Sequence, residues 1–228
     1  MKKPHKAIEA SRGFSLIELM VVIGIILILL GAGIPKILST MKEARARQAF
    51  EAVLTQMRLG REIAVDRRRV MKLTFNKAVG STPANIVSLA EDVVIDPVTL
   101  KHTYQAVPGT NNPLTTTLPS DMDFMLPASV PKISPDTLGT TPSPIDYGYN
   151  SSSTGGQNVM YFQANGQVLQ NTENGPVADG VIYVGRTGDP TSNRAVSILG
   201  MTGRIKGWHL MTSISSPQCT SPPCWLQN

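Results

Sequence analysis

The chain has 228 residues, which is enough for one or two domains with a hydrophobic core. Its charged fraction of 16% is low for a soluble enzyme, and its 19 glycines and 17 prolines favour a β-rich part with many loops. The two cysteines exclude a disulfide-rich scaffold and a four-cysteine zinc site. Taken alone, the net charge of +5 indicates a nucleic acid or an anionic membrane as partner.

The first predicted element is a transmembrane helix over residues 14–34, where Glu18 is the single charged residue. At 1.5 Å per residue this run spans roughly 32 Å, which matches a hydrocarbon core of about 30 Å. A secretory signal peptide has a shorter apolar region followed by small residues at a cleavage site. Here Pro35 and Lys36 follow the run, so we expect the segment to remain in the mature protein.

The segment itself does not explain two of its features, its orientation in the membrane and its charged residue. The basic residues are balanced across the span, four on each side, so the positive-inside rule does not orient it. Glu18 is costly near the centre of a bilayer, by about 2.5–3.5 kcal/mol, unless it has a partner or lies near the interface. The flanking basic residues are Lys2, Lys3, Lys6, Arg12, Lys36, Lys42, Arg45 and Arg47.

A specific motif begins the apolar run. Residues 12–19 read RGFSLIEL and strongly resemble the class III signal of type IV pilins and type II secretion pseudopilins. That signal has a short basic leader ending in glycine, a hydrophobic first mature residue and a glutamate at the fifth mature position. All three features are present here, as Gly13, Phe14 and Glu18.

The resemblance implies a processing pathway, an orientation and a set of partners. Prepilin peptidase would remove residues 1–13 by cutting between Gly13 and Phe14, and would methylate the new amino group of Phe14. The leader would lie in the cytoplasm and the remainder would face the periplasm, anchored in the bacterial inner membrane. Glu18 would meet the positive N-terminus of a neighbouring subunit, and the inner-membrane assembly platform would extract the chain into a filament.

The second predicted element is an amphipathic stem helix over residues 35–69, because apolar side chains recur every three or four positions. Pro35 removes a helical hydrogen bond, so we expect a kink or a meltable stretch at residues 31–36. The stem to Lys72 carries a net charge of +6. Arg67-Arg68-Arg69 has two interpretations, a helix end stabilised by its dipole and by Glu62 and Asp66, or a nucleic-acid patch.

Residues 70–228 are predicted to form a β-rich head, which makes the fold class α+β. Asn165-Gly166 is a hairpin turn, since both residues tolerate positive φ, and Gly200–Gly203 is a second turn between strands. The predicted strands are Val70–Asn76, Asn158–Gln163, Gln167–Gln170, Gly180–Gly185, Arg194–Leu199 and Arg204–Leu210.

The stem and head together resemble the GspH/FimT type of minor pilin. The similarity lies in residues 44–75, which run through the helix-to-strand transition, and in residues 161–166, 195–198 and 203–205. It implies a type IV pilin-like fold, in which the antiparallel head packs on the C-terminal half of the stem. That packing would cover an apolar stripe formed by Phe50, Val53, Leu54 and Met57.

Residues 80–157 are longer than the connection that this family has at that position. They are rich in proline, serine and threonine, and a structureless loop of this length is unusual inside a compact domain. Short apolar runs at residues 85–89, 93–95 and 123–126 indicate additional strands. We interpret the segment as an insertion displayed at the surface of the periplasmic head.

Candidate sites for other functions are few. Cys219 and Cys224 enclose four residues and are candidates for a disulfide in an oxidising periplasm, or for two free thiols. Known catalytic, phosphate-binding, dinucleotide-binding and metal-binding motifs are absent, so we expect no enzyme, no cofactor and no metal. Gly203-Arg204-Ile205-Lys206 is similar to a basic motif that links some FimT-type pilins to DNA uptake, with a lysine in place of the second arginine.

The sequence therefore predicts a minor pilin or pseudopilin, a structural subunit of a type IV pilus or of a type II secretion pseudopilus. Two alternatives stay open, a DNA-binding minor pilin that uses Arg204 and Lys206, and a single-pass anchored periplasmic protein of another function. The charge distribution favours the structural role. The head has a net charge of −3 and the leader, at +3, is lost on maturation, so the basic excess lies in the stem.

Overall fold

The computed structural model describes residues 15–95, 102–107, 113–125, 133, 145–147, 158–170, 175–211 and 223–227. Within these ranges, the side chains of residues 32–37, 91–95, 102, 146–147 and 170 are not described. The chain divides into two compact units, Met1–Met41 and Lys42–Asn228.

One helix, α1, runs from Leu16 to Arg67. The helical assignment continues through residues 31–36, so the segments predicted as transmembrane helix and stem helix are parts of one element. The helix ends two residues earlier than predicted. Arg68 has a positive φ of 54° and the amide of Arg69 donates to the carbonyl of Ala64, at 3.2 Å, which closes the last turn. The side chain of Pro35 lies outside the described part, and the kink there stays a prediction.

Among the residues that the structure describes, no helix is both long enough and apolar enough to cross a membrane.

The described strands form two antiparallel sheets. Sheet 1 has the order β3-β2-β1-β7-β8, with β4 also paired to β2, and sheet 2 has the order β12-β11-β10-β9-β5, with β6 also paired to β9. In chain order the strands are β1 Met71–Asn76, β2 Asn85–Ile95, β3 His102–Gln105, β4 Leu114–Thr117, β5 Asp123–Phe124, β6 Ile145–Tyr147, β7 Val159–Phe162, β8 Val168–Gln170, β9 Gly180–Arg186, β10 Asp189–Leu199, β11 Arg204–Met211 and β12 Cys224–Gln227.

The six strands predicted for the head correspond to β1, β7, β8, β9, β10 and β11, and five of them agree within one residue at each end. The exception is β10, which begins at Asp189 rather than Arg194. Its register against β9 shifts between these two residues, so the first part of the strand is irregular. This part is Asp189-Pro190-Thr191-Ser192-Asn193, whose composition is typical of a turn, and side-chain hydrogen bonds stabilise it.

The core of the second unit forms between α1 and both sheets. Alternate residues of β1 point inward, and Met71, Leu73 and Phe75 are fully buried. Phe75 meets Phe124 of β5 edge to face, with 5.7 Å between the ring centres. The helix contributes its apolar stripe, and the predicted burial is confirmed for all four of its residues. The buried apolar side chains of the helix are Ala46, Ala49, Phe50, Val53, Leu54, Met57 and Ala64.

The described part of the insertion forms strands in both sheets. Our expectation of a segment displayed at the surface is therefore wrong for this part. Strand β2 lies beside β1 inside sheet 1, and β5 and β6 extend sheet 2. Ile86, Phe124 and Ile145 are buried in the core. The physical reason is that β1 needs a partner on each edge, and β2 supplies inward-facing apolar side chains on one of them.

Candidate functional sites

The N-terminal signal begins outside the described residues, which include neither Gly13 nor Phe14. Glu18 lies in the first turn of α1 and is exposed. No ion pair among the described residues includes it. A carboxylate at this position is favourable for the dipole of the helix itself, since helix N-termini attract negative charge.

The first turns of α1 expose apolar side chains on all sides. Their exposed fractions run from 47% at Ile26 to 76% at Leu16, whereas a large apolar side chain in a folded domain is more often covered. The exposed residues of this run are Leu16, Ile17, Leu19, Met20, Val21, Val22, Ile23, Ile25, Ile26, Leu27, Ile28, Leu29 and Leu30. This surface has the composition of a helix that is covered by lipid or by other subunits.

At the other end of α1, the side chain of Arg61 lies between the two turns that the sequence predicted. Its Nη2 donates to the carbonyl of Thr202, at 3.1 Å, and its Nε is buried without a partner. Gly166 and Gly203 both have positive φ, 82° and 61°. A Cβ at Gly203 would overlap the carbonyl oxygen of Gly166, so the turn after β7 and the turn after β10 touch each other.

Beside this contact, α1 and β11 border an open groove of about 780 Å³. Arg58 and Arg204 are exposed on it, and neither forms an ion pair within the described residues. We had expected Glu62 and Asp66 to pair with the arginines at residues 67–69, but no such pair occurs in the described part. The lining residues are Arg58, Arg61, Glu62, Val65, Asp66, Asn165, Thr202, Gly203, Arg204 and Ile205.

The two candidate DNA contacts lie in different surroundings. Arg204 begins β11 and borders the groove. Lys206 is half-buried, and its Nζ lies 5.8 Å from the centre of the Trp208 ring, a cation–π contact. The indole of Trp208 donates to Ser197 Oγ, at 2.8 Å, which fixes the ring. Lys206 is not among the residues that line the groove, but Arg204 and Lys206 are two positions apart in β11 and lie on the same face of the strand.

Sequence reasoning missed an ionic cluster that joins α1 to sheet 2. Asp121 Oδ2 accepts from Arg186 and from Arg45 Nη1, the latter at 3.3 Å, and Arg186 also lies 3.6 Å from Asp189. Burial by itself raises the pKa of Asp121, but the hydrogen bonds from Arg186 and Arg45 outweigh it, and the pKa is lowered from its ordinary value of 3.8. No local motif signals this cluster, because its residues come from three separate parts of the chain.

A second charged contact lies on the same helix. Arg194 of β10 is buried, and its Nη2 donates to Glu43 Oε1 at 2.6 Å while its Nη1 donates to the carbonyls of Thr191 and Asn193. These bonds satisfy a guanidinium that would otherwise be costly to bury. The contact therefore fixes the helix against β10.

A buried polar group ties the same helix to sheet 1. Gln56 is 4% exposed, and its Nε2 donates to Ser88 Oγ at 2.6 Å, while its Oε1 accepts from Thr116 Oγ1 at 2.9 Å. Each buried polar atom in this set has a partner, which is the condition for such a network to stabilise a core. It holds α1 in register with β2 and β4.

The remaining candidates concern cysteines and metals. Cys224, on β12, is disulfide-bonded, and the only other cysteine of the sequence, Cys219, lies outside the described residues. Within the described part of the chain, no group of three or more His, Cys, Asp and Glu residues is arranged to hold a metal ion.

Comparison with known proteins adds one match, at the N-terminus. Residues 10–34 match the family model of the prokaryotic N-terminal methylation motif. The matched segment includes Gly13, Phe14 and Glu18, and it supports a type IV pilin-like chain that is processed as a prepilin. No curated protein and no solved structure matches this chain.

Proposed function

We propose that the protein is a minor pilin or pseudopilin of the GspH/FimT type, a structural subunit of a type IV pilus or a type II secretion pseudopilus. The observation that carries the proposal is the match of residues 10–34 to the N-terminal methylation motif. The exposed apolar surface of α1 between Leu16 and Leu30 supports it, because a filament subunit buries such a surface against its neighbours.

In this proposal prepilin peptidase cuts between Gly13 and Phe14 and methylates the amino group of Phe14. Before assembly, residues 14–34 anchor the chain in the bacterial inner membrane, with the leader in the cytoplasm and the head in the periplasm. The assembly platform in that membrane then extracts the subunit. A membrane-anchored state is compatible with apolar side chains all round the helix, since lipid covers every face equally.

Glu18 acts in assembly rather than in catalysis. Its carboxylate pairs with the N-terminal amine of the adjacent subunit, and in a low-dielectric filament core each charge is unfavourable without the other. A subunit in the wrong register leaves both charges unpaired. We therefore expect Glu18→Gln to be processed normally but to be lost from sheared filaments, measured by immunoblotting of the filament and membrane fractions.

Mass spectrometry of the N-terminus tests the proposal directly. We expect a mature chain that begins with methylated Phe14, and we expect Gly13→Arg to leave the leader in place, because the peptidase needs the backbone at Gly13 to approach closely. Ala10→Arg is the matched control, since it adds the same charge to a leader that is already basic. An intact Met1, or cleavage beyond residue 34, would contradict the proposal.

DNA capture is the second candidate function, favoured by the exposed Arg204 at the groove. Binding to phosphates releases counterions, so the affinity for duplex DNA should fall steeply with salt. We rank this candidate lower because Lys206 is half-buried in its contact with Trp208, which leaves Arg204 as the exposed cation of the pair. Titration of the full chain with duplex DNA at several salt concentrations tests it, and binding that is flat with salt would exclude it.

A further inference from the structure

The groove between α1 and β11 has a charge pattern that selects among anionic ligands. It contains three arginines, Arg58, Arg61 and Arg204, and two carboxylates, Glu62 and Asp66. A continuous polyphosphate would be repelled by the two carboxylates where it passes them, which opposes binding. A ligand with separated carboxylates and neutral groups between them can contact the arginines and avoid the acids.

The groove also has apolar and hydrogen-bonding walls. Val65 is 44% exposed and Ile205 is half-buried, and both line the groove. Asn165 and Thr202 also line the groove and lie in the two turns that Arg61 contacts. A volume of about 780 Å³ is in the range of pockets that hold organic ligands. Mixed charge with apolar contacts is typical of a peptide-binding surface rather than of a phosphate-backbone surface.

Two arginines of the groove, Arg58 and Arg204, are available to bind an anionic ligand. Arg58 and Arg204 come from different elements, are exposed, and form no ion pair among the described residues. Arg61, in contrast, already donates to Thr202 and lies between the two turns. The exposed guanidinium groups of Arg58 and Arg204 are suited to bidentate recognition of carboxylates.

We propose that this groove binds an acidic peptide segment of a partner protein, with two carboxylates paired to Arg58 and Arg204 and an apolar side chain against Val65 and Ile205. All the residues that line the groove lie between positions 58 and 205, so the proposal is independent of the N-terminal signal.

The test uses the full chain in detergent and a capped synthetic peptide of alternating aspartate and leucine, labelled for fluorescence anisotropy. We expect binding that falls about tenfold or more in the double variant Arg58→Gln, Arg204→Gln, which is the effect of losing charge-assisted hydrogen bonds. Arg67→Gln is the matched control, because Arg67 is exposed on the same helix and does not line the groove. It should change the affinity less than twofold.

Substitution of the two carboxylates should change the affinity for the peptide in the opposite direction to substitution of the arginines. Glu62→Gln and Asp66→Gln each remove a repulsive charge, and we expect the aspartate peptide to bind more tightly to both. A peptide in which asparagine replaces aspartate should bind at least tenfold more weakly than the acidic one. Equal binding of the two peptides, no binding of the acidic peptide, or tighter Arg58- and Arg204-dependent binding of duplex DNA would overturn the proposal.

Discussion

The two parts of α1 place similar apolar residues in opposite environments. Between Leu16 and Leu30 the large apolar side chains are exposed on all sides, whereas between Ala46 and Ala64 they form one buried stripe. In the second part the sheets of the same chain provide the cover. The first part leaves the same residue types exposed, so they form a core in one part and an apolar surface in the other.

The largest expected effect contrasts one apolar residue from each part. Met57 is fully buried, and Met57→Ala should lower the free energy of unfolding of the head by about 2–5 kcal/mol, from lost burial and a cavity. Leu27 is 63% exposed, and Leu27→Ala should change the free energy of unfolding of the head by less than about 0.5 kcal/mol. Denaturant unfolding of the full chain in detergent measures both. Equal losses would refute the contrast.

A pair of glycines on the same helix provides a second test of the contrast between the exposed and the buried parts of α1. A Cβ at Gly60 would lie 2.8 Å from Leu73 Cδ1, whereas no group of the described residues lies within 4 Å of a Cβ at Gly24. At Gly60 overpacking should cost about 1–3 kcal/mol and the helix propensity of alanine should return about 1 kcal/mol, so Gly60→Ala should destabilise the head by up to about 2 kcal/mol. Gly24→Ala should increase helix stability by about 1 kcal/mol, seen as higher helicity in circular dichroism. The signs should be opposite, and a gain at both positions would show that Gly60 has room.

A low pH should destabilise the packed part of the helix, because it protonates Asp121. Its pKa is lowered in the fold, so the stability it contributes is present above its ordinary value of 3.8 and is lost as the pH falls through the lower folded value. Because its side chain is 29% exposed, we expect less than about 1 kcal/mol. Asp121→Asn should remove that part of the pH dependence, measured by unfolding between pH 2 and pH 5 (about the range where Asp titrates). An unchanged pH profile in the variant would contradict this role.

The smallest expected effect is at the end of α1. Arg68 has a positive φ, which glycine adopts without steric cost. Arg68→Gly should raise the stability of the head by about 0.5 kcal/mol, since the relieved strain slightly exceeds the added entropy of the unfolded chain. The matched variant Arg67→Gly changes the last residue of the helix, where no strain is relieved, and should cost up to about 1 kcal/mol. Thermal unfolding distinguishes the two, and a loss at both positions would show that Arg68 is not strained.

The parts of the fold that could be predicted are the elements set by local sequence patterns. The apolar spacing of α1 and the alternation in β1 come from residues close together in sequence, and the structure has both. Apolar runs in residues 80–157 indicated the strands β2 and β5, but the pairing of β1 with β2 was not predicted, because short apolar runs do not specify their partner strand. The start of β10 was missed because Asp189 and Pro190 are typical of turns.

The candidate sites divide in the same way. The signal at Gly13, Phe14 and Glu18 is contiguous, so the sequence alone identifies it. The groove needs Arg58 and Arg204 to meet across α1 and β11, and Asp121 needs Arg45 and Arg186. Side chains that far apart in the chain come together only through the tertiary fold, and each arginine taken alone is indistinguishable from a solvated surface charge.

The position of β1 in sheet 1 has a consequence for synthesis of the protein. Met71 pairs with Ala90 on one edge and with Phe162 on the other. At translation rates of about 5–20 residues per second, β7 emerges on the order of ten seconds after β1 and several seconds after β2. During that interval β1 and β2 can pair while the other edge of β1 is open and apolar. The nascent head therefore needs protection from pairing with other chains at this edge until residues 159–162 arrive.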